Sequence, residues 1–223
     1  MASSVNSHST EDTTCPLCLQ ANSLPFAQLA HGHYWFCDRC QYTYLSPSQW
    51  LSEEEEASHY HLHDNRIDDP QYLTFLSRLS NPLMALLPKR AQGLDVGCGP
   101  GPALAHHLTQ KGFPCAYYDP LFFPNEALLK HTYDFITATE VVEHLRHPAA
   151  TWALLQRLVK PGGILAIMTG WRVPPEQFPE WYYARDPTHI GFYQPSTFRW
   201  LAKQWQWEVQ FPVANVCFFK RPH

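Results

Sequence analysis

Four cysteines and one glycine-rich octapeptide carry the clearest chemistry in this chain of 223 residues. Cys15-Pro16-Leu17-Cys18 and Cys37-Asp38-Arg39-Cys40 are two CxxC knuckles with 18 residues between them. Two such pairs complete a closed tetrahedral zinc site, with no coordination position left for a substrate. The expected role of Cys15, Cys18, Cys37 and Cys40 is therefore structural. The octapeptide LDVGCGPG (94–101) places Gly97, Gly99 and Gly101 in a G-x-G-x-G spacing. A dinucleotide fingerprint, G-x-G-x-x-G, needs a third glycine where this chain has Pro102. Proline removes an amide donor from the helix start that would cradle a pyrophosphate. Cys98 occupies a spacer position and is read as a spacer, not a nucleophile.

Two acids refine the ligand. Asp95 ends the strand before the loop, where a carboxylate repels phosphate and suits a cationic or hydroxylated group. Asp119 ends the next strand, 24 positions on, where an acid grips ribose hydroxyls. The pattern suits a nucleoside that carries a positive group and no phosphate, which is the character of S-adenosylmethionine. LDVGCGPG, the acid in YYDP (117–120), YDFITATEVVEHL (133–145) and LVKPGGILAIMT (158–169) together resemble a class I S-adenosylmethionine-dependent methyltransferase. EVVEHL and DPTHIGFYQPSTFRWL (186–201) resemble the branch that includes ubiquinone-type and sugar methyltransferases, and the knuckles resemble the zinc-ribbon front ends of some members. The resemblance implies a Rossmann-like domain. It implies that Asp95, Gly97, Gly99 and Gly101 lie against the cofactor's amino-acid tail and ribose, that Asp119 binds the ribose hydroxyls, and that Thr139 and Glu140 line the cofactor from the third strand. Leu121 and Phe122 are candidate covers for the adenine.

Methyl transfer is an in-line displacement in which positioning does much of the work, and an oxygen or nitrogen acceptor also has a proton to lose. Candidates for that proton stand past strand ends: Glu140, Glu143, His144 and, in the long loop after the fourth strand, His189. Tyr60, His63, Asn65 and Tyr193 are candidate substrate contacts. HYHLH (59–63) alternates histidines but brings no further ligand, so a lid is expected there and not a second metal site. The Pro- and aromatic-rich stretch 171–187 is expected to form the other wall of the pocket.

These side chains need a frame. From Ala91 onward, strand and helix patterns alternate, which predicts a doubly wound, mostly parallel α/β sheet. The interval from Asp119 to Tyr133 is too short for a helix, a strand and a second helix, so one strand of a seven-stranded sheet is expected to be reduced or missing. The predicted division is a leader over 1–14, a zinc ribbon over 15–46, a helical connector and lid over 47–90, and the methyltransferase-like domain over 91–223. A helix is expected from Pro47 to Ser58, and another from Pro70 that breaks or kinks at Pro82.

Composition narrows the class. The chain is 45% hydrophobic and 16% charged, enough to bury a core. Its net charge is −4, and residues 1–66 carry two basic against eight acidic side chains. That distribution speaks against a nucleic-acid footprint, which needs clustered Lys and Arg. No apolar run reaches the length of a membrane span. The polar, acidic start MASSVNSHSTEDTT lacks the layout of a signal peptide, so reduced cysteines and a cytoplasmic setting are expected. The reading is a methyltransferase acting on a small molecule or a protein side chain. Two alternatives stay open: a non-catalytic S-adenosylmethionine-binding or zinc adaptor protein, and an RNA methyltransferase that grips RNA with its ribbon. Against the last, TATEVV stands where a (D/N)PP(Y/F)-type motif belongs.

Overall fold

The computed structural model describes residues 13–30, 32–61 and 66–223. The leader to residue 12, and with it most of the predicted 1–14 segment, lies outside the described residues. Three strands open the chain: β1 (Leu24–Leu29), β2 (Gly32–Phe36) and β3 (Thr43–Leu45). The knuckles sit before β1 and between β2 and β3. Each turns back on itself, with Leu19 N donating to Cys15 O at 2.9 Å and Gln41 N to Cys37 O at 2.8 Å. Leu19 and Gln41 both have φ near +60° (59° and 63°), so the two turns share one backbone shape.

The predicted 47–58 helix starts later than expected. Pro47–Gln49 forms only a 3-10 turn, and α1 runs Glu53–Tyr60. Ser52 caps it: Ser52 and Glu55 satisfy each other's backbone amides in a capping box. The second helix, α2 (Pro70–Met84), begins as expected, with the Asp69 carboxylate accepting from the Gln71 and Tyr72 amides. Pro82 does not break it. It falls in the last turn, and the Ala85 amide still reaches the Asn81 carbonyl.

The remainder alternates as predicted: β4 (Gly93–Val96), α3 (Ala103–Gln110), β5 (Cys115–Tyr118), β6 (Tyr133–Thr139), α4 (Pro148–Leu158), β7 (Val159–Met168), β8 (Gly191–Phe192), α5 (Pro195–Trp205), β9 (Glu208–Gln210) and β10 (Val216–Lys220). The main sheet has six strands in the order β5-β4-β6-β7-β10-β9. The first four are parallel, and β10 and β9 close the edge antiparallel. The 119–132 interval holds only a 3-10 turn (Glu126–Lys130), which is why one edge strand is missing.

Alternation along the strands assigns the two faces. Leu94, Ile136, Leu165, Ile167 and Phe219 pack with Trp152 and Leu155 of α4 and Phe198 and Leu201 of α5. Phe135, Ala166, Met168 and Phe218 pack with Leu76, Leu79 and Leu83 of α2 and Leu104 and Leu108 of α3. Helices thus cover both faces of the sheet.

The ribbon is not set apart from this layer structure. β8 pairs antiparallel with β3, through Thr43↔Phe192 and Tyr44↔Gly191, and completes a second sheet β1-β2-β3-β8. The Thr197 hydroxyl donates to the Gln41 carbonyl at 2.8 Å. Cys15, Cys37, Cys40, Tyr42 and Tyr44 belong to the same buried cluster as Trp152 and Tyr193. The second sheet and the buried cluster thus run across the predicted boundaries at 46/47 and 90/91. Three short strands have too little core of their own, and their tyrosines are buried on the larger domain. Among the described residues, no helix is long and apolar enough to cross a membrane.

Candidate functional site

The parallel strands deliver their functional residues to one edge, at their carboxyl ends. There a cavity of about 690 Å³ opens beyond β4, β5 and β6, within the size range of ligand pockets. The glycine loop forms one wall. Gly97 and Gly99 have φ of +73° and +64°, a backbone region that favours glycine. A Cβ at Gly97 would stand 2.5 Å from Val141 Cγ2, so the loop also needs glycine for close approach.

Asp119 ties that loop together. One carboxylate oxygen accepts from Gly99 N at 3.0 Å, and the other from Leu121 N at 2.9 Å and Phe122 N at 3.0 Å. Leu121 and Phe122 line the cavity next to it. Asp95 is buried beside the loop, opposite Tyr117 and Thr137 in the sheet register. The Thr137 hydroxyl donates to it at 2.6 Å. Burial pushes Asp95 up to about 7; the Thr137 bond opposes the rise and the Asp119 charge adds to it. Burial pushes the Cys98 thiol up as well, which keeps it protonated and inert.

At the far end of the cavity stand the side chains suited to proton chemistry. Glu140 has φ +53°, a left-handed conformation costly for a side-chain-bearing residue. Its amide is held by the Met168 carbonyl at 2.8 Å. Glu143 is fully buried on the next turn. The Tyr183 hydroxyl donates to Glu143 and also stands 3.1 Å from Glu140 Oε2; Thr169 donates to Glu143 at 2.8 Å. Burial, then the neighbouring Glu143 carboxylate, raises Glu140 to about 8; burial also raises Glu143. The Tyr183 hydroxyl thus lies between two buried carboxylates, within hydrogen-bond reach of both.

His144 and His189 complete this end, with ring centroids 4.7 Å apart. Burial lowers His189, against the opposing pull of Glu143. Tyr60, at the end of α1, meets His144 edge-on at 5.4 Å and donates to Glu56. Glu56 is in turn paired with Arg146 at 2.6 Å, which fixes α1 over the cavity mouth.

The structure thus gathers Asp95, Gly97, Gly99, Gly101, Asp119, Thr139, Glu140, His144, His189 and Tyr60 around one cavity. Tyr193 is not among them. It is fully buried in the core, stacked on Phe198 at 5.5 Å, with its hydroxyl accepting from Trp152 Nε1 at 3.0 Å. Its expected substrate contact is corrected accordingly: past β8 the chain has left the cavity and entered the α4–α5 side. His63 and Asn65 lie outside the described residues. Tyr183, Asp186 and Tyr72 line the cavity and were not singled out from the sequence. The only signal for Tyr183 and Asp186 was the density of aromatics in WYYARDP, which marks a wall but not which ring turns inward.

Away from the cavity, the sulfurs of Cys15, Cys18, Cys37 and Cys40 lie within 4.8 Å of one another. Cys15–Cys40 and Cys18–Cys37 are each 3.5 Å apart, and no disulfide forms. Four thiolates bonded to one zinc at about 2.3 Å would stand about 3.8 Å apart, so the set fits that ion.

Known proteins resemble parts of this chain. Ubiquinone biosynthesis O-methyltransferase of Sodalis glossinidius (strain morsitans) is 32% identical over 74 residues, covering 33% of this chain and 30% of the relative. Its counterpart in Proteus mirabilis (strain HI4320) is 31% identical over 80 residues, covering 36% and 33%. The matches thus span about a third of the length of these curated relatives. The crystal structure of Burkholderia thailandensis 1,6-didemethyltoxoflavin-N1-methyltransferase, with bound 1,6-didemethyltoxoflavin and S-adenosylhomocysteine, shares the fold. Its TM-score is 0.52 at 17% identity, over 87% of this chain and 97% of that one. The family described as a methyltransferase domain matches residues 63–210, from before α2 to the end of β9. With two thirds of its length inside that match, the chain belongs to the methyltransferase-domain family.

Proposed function

We propose that this protein is an S-adenosylmethionine-dependent methyltransferase acting on a small-molecule acceptor. The observation that carries the reading is the continuity of one cavity, from the glycine loop and Asp119 at one end to Glu140, His144 and His189 at the other. When bound, S-adenosylmethionine supplies a methyl group already activated on a sulfonium. The residues fit that cofactor. Thr139 Oγ1 is buried beside the cavity without a protein partner, as a hydroxyl kept for a ligand is. Gly97 to Gly101 let the backbone approach closely, Asp95 offers a carboxyl that a cationic tail would hold ionised, and Asp119 has lone-pair capacity left for ribose hydroxyls.

The other residues divide the remaining work. Leu121 and Phe122 present apolar surface for a base. Tyr60, on the clamped α1, and Tyr183 wall the acceptor end and limit water there. Glu140, His144 and His189 bind the acceptor and ease loss of its proton. A cavity of this size suits a small molecule better than a folded chain. The names of the curated relatives, as O-methyltransferases of ubiquinone biosynthesis, favour an oxygen acceptor.

The four-cysteine centre is proposed as a structural zinc site, and seven unbridged cysteines suit a reducing, cytoplasmic setting. Zinc below about half an equivalent in purified protein would remove that assignment.

Calorimetry with S-adenosylmethionine tests the cofactor reading. Asp119→Ala should weaken binding about tenfold or more, since it deletes charged hydrogen bonds and frees the glycine loop. Unchanged affinity would refute the placement. Production of S-adenosylhomocysteine from labelled cofactor with a metabolite extract separates an enzyme from a non-catalytic binder.

A further inference from the structure

The charge around the cavity is one-sided. Among the described residues that line it, Glu56, Asp95, Asp119, Glu140 and Asp186 are acidic and none is Lys or Arg. Four of these carboxyls are already engaged. Glu56 is paired with Arg146, Asp95 and Asp119 stand at the glycine loop, and Glu140 shares the Tyr183 hydroxyl. Asp186 is left over. It lies at the acceptor end, close enough for its charge to act on the Tyr60 phenol.

The two oxygens of Asp186 differ. Oδ1 accepts from Thr188 N at 2.9 Å and from the Thr188 hydroxyl at 2.6 Å, which fixes the direction of the carboxylate. Among the described residues Oδ2 takes no hydrogen bond; it stands 3.9 Å from His189 Nε2, beyond bonding distance. Burial would raise the Asp186 carboxyl, but the Thr188 bonds and the neighbouring His189 hold it below the ordinary carboxylate value, so it is ionised. His189 presents a second acceptor beside it. Its Nδ1 lies 2.7 Å from the Tyr183 carbonyl. A carbonyl only accepts, so Nδ1 carries the proton and Nε2 the lone pair in the neutral ring. Two acceptors thus stand 3.9 Å apart in the cavity wall with no hydrogen between them. A single donor atom with several N–H bonds, about 2.9 Å from each, satisfies both. The Asp186 and His189 side chains are 36% and 10% exposed, so a ligand reaches the pair from the cavity.

We propose that Asp186 and His189 hold a protonated amine of the acceptor, so that the substrate is a small hydroxylated amine and not a carboxylic acid or a phosphate ester. The inference rests on the methyltransferase reading of the cavity and names the substrate class of that same site. An ammonium group supplies N–H donors to both acceptors and a charge that Asp186 matches. Tyr182 and Tyr183 line the same stretch of wall, and phenol rings attract an ammonium group over their faces. An anionic acceptor meets the opposite: several carboxyls and no lysine or arginine to pair with. While protonated, the nitrogen has no lone pair for a methyl group, so it anchors the acceptor and is not the atom methylated.

The experiment uses the full chain saturated with S-adenosylhomocysteine and two matched sets of probes. One set is tyramine, 4-ethylphenol and 3-(4-hydroxyphenyl)propanoate; the other is glucosamine, glucose and glucuronate. Within each set the hydroxyl-bearing scaffold is constant and the substituent is cationic, neutral or anionic. Calorimetry should show the amine binding at least about tenfold more tightly than its neutral partner in one set or both, with the acid weakest. Asp186→Asn keeps the Oδ1 acceptor for Thr188 and removes the charge. It should abolish the preference for the amine and leave S-adenosylhomocysteine affinity unchanged. An amine no better than its neutral partner in both sets overturns the inference, and this comparison on the wild-type chain stands whether or not the variant folds. A preference that survives Asp186→Asn, or methyl transfer to the amine nitrogen, overturns it too. S-adenosylhomocysteine calorimetry on the same samples separates the failures: intact binding without the preference leaves the methyltransferase reading standing, and no binding removes both.

Discussion

Asp95 shows what burial does to a single carboxyl beside the cavity. Its ordinary carboxylate value is about 4 in the unfolded chain, and burial pushes it up to about 7 in the fold. Between those limits the folded state keeps a proton that the unfolded state has lost. Stability from this group therefore falls as pH rises from 4 toward 7, and the whole penalty is present above 7. Asp95→Asn keeps an acceptor for Thr137 and removes the penalty. Urea midpoints should show the variant gaining on the wild type by roughly 3 kcal/mol between pH 4.5 and 7.5. A constant difference across that range would mean that Asp95 is ionised in the fold. A carboxyl that costs stability at neutral pH is a mark of ligand binding. Asp95, Asp119 and the glycines were legible in the sequence because strand ends and turn residues announce themselves locally. The Glu143–Tyr183 contact was not, because 40 residues separate the partners and only the fold closes that distance.

At the scale of elements, the joint between β3 and β8 matters most. It bonds the cysteine-bearing strands to the segment that carries Tyr183, Asp186 and His189. Gly191 makes the joint possible, since a Cβ there would run into the Tyr42 hydroxyl. Gly191→Ala should cost about 1 to 3 kcal/mol by overpacking. In the Tyr42→Phe background, where the colliding oxygen is gone, the same change should cost clearly less. A double-mutant cycle in urea measures the coupling; strictly additive effects would place the strain elsewhere. The sequence hid this joint. Two residues make a weak strand signal, and pairing across nearly 150 positions has no local signature. The same short strand explains Tyr193: alternation carries Phe192 toward Tyr34 and Phe178, and Tyr193 toward Trp152 and Phe198.

For the molecule as a whole, the shared sheet and shared core make the ribbon and the larger domain one cooperative body. Removal of the proposed zinc from the four cysteines should therefore lower the unfolding temperature of the entire chain, in a single calorimetric transition. A separate low-temperature transition, with the main one unmoved, would show that the ribbon melts alone. The same continuity links the four cysteines to the Tyr183 wall of the cavity through β3 and β8. Loosening the cysteine centre should thus raise the KM for acceptor more than it weakens cofactor binding.

By itself the sequence determined the alternating strands and helices, the missing edge strand, the glycine turn after β4 and the zinc-type spacing of the knuckles. Each of these depends on residues that are neighbours along the chain or on one strand end, where conformational preference and spacing act directly. Only the tertiary structure decided that the ribbon shares a sheet with residues 191–192 and that Tyr193 is core. The meeting of Glu143, His144, Tyr183 and His189 at the acceptor end was likewise a tertiary outcome. Those outcomes depend on which buried faces meet across long separations, and that is settled by packing the whole chain at once.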